Sequence, residues 1–246
     1  MTTESGHIIV RTVDTIEDLS VVHALEREVW GGDDLVPVSL LRVMASEGGG
    51  QVLLAVHPDE ATPVGMAVAF IGRRHAKWYL HSHMVAVKAS FRGQSVGRLL
   101  KYRQLEYARA SDLAYVGWTF DPLQRRNGQF NLNVLAGVAK EFYPNFYGPL
   151  SDSINGAFAT HRLFVEWHGQ QIGRTASRFV AIPDDINRLR REHSDKARRW
   201  AERYQRKWGR LVQAGFGAVE VVQGRGGIWF YRLQRIWDER MSGNAN

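Results

Sequence analysis

The 246-residue chain has no cysteine, which excludes a disulfide framework, a thiolate metal centre and a cysteine nucleophile, and makes a cytoplasmic protein the simplest expectation. It also lacks a long apolar run. The longest, Val64 to Ile71, falls far short of the ~20 residues a membrane-spanning helix needs, so no membrane partner is expected. The first residues carry Glu4 and show no basic stretch leading into an apolar one, so they do not read as a signal peptide. There is no internal repeat or low-complexity tract. With 44% hydrophobic and 23% charged residues, the composition is that of a folded globular chain, long enough for one large domain or a domain with an appendage. Acidic residues are the minority, 25 against 32 basic, which leaves a net charge of +7. An excess of that size permits a phosphate-bearing partner without deciding between a polymer, a membrane surface and a nucleotide cofactor.

The pattern along the chain predicts a mixed α/β protein. From Thr15 to Trp30 the residues Ile16, Leu19, Val22, Leu25 and Val29 recur at helical spacing. A second helix is expected over Val38 to Ser46, closed by Gly48, Gly49 and Gly50. Three strand-like runs follow, Gln51 to His57, Val64 to Ile71 and Tyr79 to Lys88, and suggest an antiparallel meander with a basic loop at Gly72 to Lys77. Then come a helix starting at Val96, a strand from Ala114 to Phe120, a turn at Asp121-Pro122, a helix from about Arg125 to Lys140 and an aromatic loop from Phe142 to Tyr147. After Pro183 the composition changes: up to Ala214 there are ten Lys or Arg against five Asp or Glu. A long amphipathic helix is predicted there, with a break near His193 where Ser194 can cap a second segment, followed by closing strands at Val219 to Val222 and Ile228 to Leu233. A core of residues 1–182 and a basic helical arm of 183–246 are the expected divisions.

The strongest local signal is Arg92-Gly93-Gln94-Ser95-Val96-Gly97. A strand that ends in a glycine-bearing turn and runs into a helix aims several free backbone N–H groups at one point, where the helix dipole also favours negative charge. Such a corner suits a pyrophosphate. It fits neither the dinucleotide fingerprint nor the phosphate loop of nucleotide hydrolases.

In context, Val85-Ala86-Val87, Phe91 and Arg92-x-x-Ser95-x-Gly97 resemble the signature of the GNAT acyltransferase superfamily, Arg/Gln-x-x-Gly-x-Gly/Ala, with Ser95 where the first glycine usually stands. Downstream, Trp118 to Leu123, Asn127 to Leu132, Tyr147-Gly148 and Arg162 with Glu166-Trp167 look like a subfamily of predicted amino-acid N-acyltransferases, some associated with N-succinylation. His161 departs from that group, which more usually has aspartate beside the arginine. The resemblance implies a mostly antiparallel sheet flanked by helices, and acyl-coenzyme A (acetyl or succinyl) as co-substrate. It places the coenzyme against the backbone of Val85 and Val87 and the N–H groups of Arg92, Gly93, Gln94, Ser95, Val96 and Gly97. Arg98 adds charge, and Asn131 is a partner for the pantetheine arm.

Amine acylation needs a base for the ammonium and an acid for the departing thiolate. The resemblance offers Tyr147 as the acid, with Tyr143 second. The strand alternation puts His81 and His83 on one face, and His83, nearer the turn, is the expected base. Asp152, Asn155 and Arg162 fall in the stretch where the acceptor is expected to bind, and an arginine can hold a carboxylate in bidentate fashion. No metal is predicted, because no third ligand stands at suitable spacing from the two histidines. The expected partner is a small-molecule amine, with a protein or peptide amine as the alternative; a homo-oligomer is compatible with the sequence. Nucleic acid is not the expected partner, since Trp200, Tyr204 and Trp208 at helical spacing read as a packed stripe. The rival is a binding module that uses the basic helix.

Overall fold

The computed structural model describes residues 8–31, 35–47, 49–58, 62–148, 158–170 and 177–236. They form two compact units, Met1–Trp118 and Thr119–Asn246.

The first unit holds β1 (Ile9–Thr12), α1 (Ile16–Trp30), α2 (Val38–Ser46), β2 (Gly50–His57), β3 (Thr62–Arg74), β4 (Lys77–Val87), α3 (Val96–Ala110) and the start of β5 (Val116–Phe120). Its strands lie in the order β1-β2-β3-β4-β5. All neighbours are antiparallel except β4 and β5. This is the mostly antiparallel mixed sheet that the sequence implies. Helix α1 starts where Thr15 accepts the Asp18 N–H at 3.2 Å. The apolar faces of α1 and α2 cover one side of the sheet, with Leu19, Val22, Leu25 and Leu41 packed on Val52, Leu54, Met66 and Val68. Ile16 does not join them and is exposed. Glu26 is buried in the stripe instead, its carboxylate accepting the Val36 N–H. On the other side Val96 and Leu100 of α3 pack on Leu53, Ala55, Val64 and Ala67. The basic loop expected at Gly72 to Lys77 is not a loop. Strands β3 and β4 run into it and turn on His75 and Ala76 at φ 46° and 63°, a two-residue connection whose left-handed residues match the twist of the hairpin.

The second unit contains α4 (Arg125–Gly128), a π-helix (Gln129–Val134), β6 (Val138–Tyr143), β7 (Arg162–Trp167), β8 (Ser177–Ile182), α5 (Ile186–Glu192), α6 (Ser194–Gln213), β9 (Phe216–Gln223) and β10 (Trp229–Arg235). Its strands lie in the order β7-β6-β9-β10-β8, all antiparallel. The helix expected to reach Lys140 ends early. A Cβ on Gly137 would lie 2.5 Å from the Val165 side chain, and Ala136 takes φ 57°, so the chain leaves the helix there and enters β6. Asn133 fixes the π-helix to β9 through two bonds with the Val221 backbone, at 2.8 and 2.9 Å. The break in the C-terminal helix is where the sequence puts it. The capping position is nevertheless held by His193, at φ −145° and ψ 63° and with no side-chain cap bond, and Ser194 is the first residue of α6. Strands β7 and β8 carry no signal that the sequence reading used.

Candidate active site

In the first unit β4 carries the features that matter. Val68 pairs with Met84 and Ala69 with Ser82, so His83 is the extra residue of a bulge, and its side chain is exposed. On its other edge β4 meets β5 in parallel register at Leu80↔Val116 and His81↔Gly117. These two pairs are the whole of that register among the described residues, and β4 continues to Val87. A 3-10 turn, Ala89–Phe91, then leads to the segment before α3.

That segment is built to expose N–H groups. Gly93 has φ 82°, and Ser95 sits at φ 64° and ψ 5° with no side-chain cap bond. The first intrahelical bond runs from the Leu99 N–H to the Ser95 carbonyl at 3.0 Å, so the N–H groups that precede it in the first turn have no helical acceptor. Arg92 to Ser95 and Arg98 are all exposed. Gly65 of β3 makes the arrangement possible. A Cβ there would lie 2.8 Å from the Ala86 carbonyl oxygen and 3.2 Å from Val96 Cγ1, so only glycine lets the start of α3 lie this close to the sheet.

Residues 22–128 match the model of the acetyltransferase (GNAT) family. Over this segment the chain is similar to GNAT acetyltransferases. Among the solved structures that match, two share the fold over about two thirds of the chain. The NatC complex bound to Gag peptide and CoA is 14% identical, covers 65% of this chain and 98% of its own, and has a TM-score of 0.52. NAA60 of Arabidopsis thaliana in complex with a bisubstrate analogue is 13% identical, covers 65% of this chain and 97% of its own, also with a TM-score of 0.52. At these identities the likeness is one of fold. No curated protein matches the chain.

Proteins of that family use acyl-coenzyme A as co-substrate, and the turn before α3 offers N–H groups of the kind a diphosphate needs. A Cβ built on Gly93 meets nothing within 4 Å, so the approach to the free N–H groups is open. Arg92 and Arg98 are not aimed at that point. Arg92 Nε donates to the Val87 carbonyl at 3.3 Å, and the Arg98 guanidinium lies 5.3 Å from the Tyr102 ring centroid. Gln94 donates to the Ser90 carbonyl at 3.1 Å. Serine at position 95 thus keeps the backbone shape of the glycine it stands for, at the cost of a left-handed residue with a side chain. Ser95→Gly is expected to raise Tm by about 2 °C in a thermal melt, the relief of the left-handed residue exceeding the added chain entropy. It should leave binding of coenzyme A intact.

His81 and His83 come together as alternation suggests, with ring centroids 6.2 Å apart, and both lie against Phe70. Burial, with the nearby charges of His83, Lys101 and Arg74, pulls the His81 imidazole down to about 4. It is therefore neutral and weakly basic near pH 7. Because the folded value lies below the unfolded one, its contribution to stability is complete above about pH 6.5 and is lost as pH falls toward 4. That amounts to roughly 3 kcal/mol at most. Denaturant titrations between pH 7 and 4 should show a shallower acid loss for His81→Gln than for the parent protein.

Sequence reasoning missed Lys101. Its Nζ donates to Ser82 Oγ at 2.8 Å and lies 3.5 Å from the Trp118 ring centroid, the first β5 residue past the paired segment. Burial holds the ammonium well below its ordinary value. The signal was present, since Lys101 falls on the stripe of Leu100, Gln104, Leu105 and Ala108, where a charge has no apolar reason to be.

In the second unit Tyr147 and Arg162 are brought together. The guanidinium lies 4.9 Å from the phenol ring centroid, and the Tyr147 hydroxyl is 3.5 Å from Thr119 Oγ1. The Tyr147 N–H donates to Thr160 Oγ1 at 3.0 Å, while Tyr143 gives its hydroxyl to Glu141 at 3.1 Å. His161 is buried and its Nδ1 accepts the Asn145 N–H at 3.1 Å, so it holds the aromatic turn in place. Burial keeps its imidazole low, against the pull of Asp121. Asn131 is buried in the π-helix. Asp152 and Asn155 lie outside the described residues. Asp121 starts the expected turn by accepting the Leu123 N–H at 2.9 Å, and it also forms a buried pair with Arg190 at 2.8 Å that the sequence did not announce. Among the described residues no group of three His, Asp or Glu could hold a metal ion, and no helix is long and apolar enough to cross a membrane.

Proposed function

We propose that the protein transfers an acetyl or succinyl group from acyl-coenzyme A to the primary amine of an amino acid, by direct attack in a ternary complex. The supporting observation is the cluster of Arg162, Tyr147 and Thr119: a guanidinium, the group that takes a carboxylate in bidentate fashion, beside a half-exposed phenol. Acyl-coenzyme A supplies the electrophilic carbonyl. In this reading the N–H groups from Arg92 to Gly97 hold its diphosphate, Arg98 adds long-range charge, and the backbone of Val85 and Val87 and the Asn131 side chain hold its pantetheine arm. His83, exposed at the bulge, takes a proton from the acceptor ammonium. The N–C bond forms as the C–S bond breaks, Tyr147 gives its proton to the departing sulfur, and the proton then shed by the amide nitrogen restores the phenol. No residue is acylated on the way.

The test is calorimetric titration with coenzyme A, acetyl-CoA and succinyl-CoA, then a thiol-release screen over amino acids of both chiralities. Tight thioester binding and turnover with free amino acids, lost when the acceptor carboxylate is amidated, is the expected result. Turnover with peptide N-termini alone would replace the amino-acid reading by the peptide one, an acceptor class suggested by the NatC structure with its bound peptide. Absence of thioester binding would remove both.

A further inference from the structure

The basic C-terminal helix has no part in the chemistry above. Its buried side is made by Ala197, Ala201, Tyr204 and Trp208, with Tyr204 and Trp208 stacked at 5.4 Å between centroids. The aromatic stripe is therefore packing, and none of it serves as a stacking platform. On the opposite side Lys196, Arg199, Arg203, Arg206, Lys207 and Arg210 are all exposed. At 100° per residue these six fall within an arc of about 100° and, at 1.5 Å per residue, along a line of ~21 Å. The acids of α6 lie to one side of it: Asp195 is paired with Arg198 at 3.4 Å, and Glu202 shares that flank. Four of the six cations, with Leu211, line an open recess of about 400 Å³.

We infer that this face of α6 binds the phosphodiester backbone of a nucleic-acid duplex without reading its sequence. Charge selects a polyanion. The face has no exposed aromatic, and the partly buried Leu211 is the one large apolar side chain in its recess, which disfavours an acidic protein held by apolar anchors. Insertion into a bilayer needs the apolar side of the helix, and that side is spent on the unit's own core. The lack of stacking residues disfavours a single strand. A regular polyanion met by a straight row of cations remains, and it releases about 0.9 counterion per phosphate neutralised. The inference is independent of the acyl-transfer reading.

Its test uses the full-length protein and a fluorescein-labelled 20-base-pair duplex of mixed sequence, as DNA and as RNA, followed by anisotropy across a salt series. Affinity should fall steeply with salt and be the same for a scrambled sequence. The exposed-residue variant R203Q/R206Q/K207Q should bind more weakly and lose roughly three from the log–log salt slope, with thiol release unchanged. Near-UV circular dichroism identical to the parent would show that the fold is kept. No duplex binding, an unaltered slope in the variant, or tighter binding to poly-glutamate or to phosphatidylserine vesicles at equal salt would overturn it.

Discussion

Tyr147→Phe is expected to lower kcat by about 10²- to 10³-fold, the usual worth of a positioned general acid, with little change in KM for either substrate. The substitution removes one oxygen and leaves the rest. The ring stays under the Arg162 guanidinium at 4.9 Å, and the Tyr147 backbone stays tied to Thr160, so neither the arginine nor the turn should move. What is lost is the hydroxyl 3.5 Å from Thr119 Oγ1. Tyr143→Phe provides the contrast. Its hydroxyl is engaged with Glu141, and steady-state rates within about threefold of the parent are expected for it. A Tyr147→Phe enzyme that works at close to the parental rate would take the acid role away from this residue. Arg162→Lys separates the neighbouring function. It keeps the charge and loses the planar fork, and should raise KM for a carboxylate-bearing acceptor while sparing that of the thioester.

The parts of this picture that were legible in the sequence are those set by local period and turn chemistry. Helix α2 begins and ends at Val38 and Ser46 as the spacing predicts, and the turn before α3 is recognisable because glycine and a helix start sit side by side. The parts that were not legible depend on a partner distant in the chain. The bulge at His83 exists only because β3 and β4 pair out of step, and no alternation in β4 alone reveals it. Gly65 reads as a weak strand residue until Val96 is seen above it. The helix expected up to Lys140 fails at Gly137, where Val165, a residue of an unanticipated strand, fills the space a side chain would need. His161, which stands where the resembling group more usually has aspartate, accepts the Asn145 N–H from a residue sixteen positions earlier, a support of the Tyr147 turn that the sequence alone does not reveal.

The largest stability effect is expected from Arg190. Its Nη2 donates to Asp121 at 2.8 Å, with the two side chains only 8% and 10% exposed, and its guanidinium lies 5.6 Å from the Phe158 ring. The other Asp121 oxygen accepts the Leu123 N–H, so the carboxylate has one charged partner and one neutral donor. Arg190→Ala leaves that carboxylate buried without a counter-charge, which costs about 3–5 kcal/mol, or roughly 10 °C in Tm. The double variant D121N/R190M removes both charges together and should recover most of the loss, because the isolated buried charge, rather than the missing contact, is what destabilises. His161 supplies an independent reading of the same change. Arg190 is among the charges that disfavour protonation of its imidazole, while Asp121 favours it, so removing the arginine should move the His161 titration upward in proton NMR and removing both should largely cancel the shift. A single variant that melts within about 2 °C of the parent, with His161 unmoved, would mean that water reaches Asp121 and that the pair is not the electrostatic anchor of the second unit.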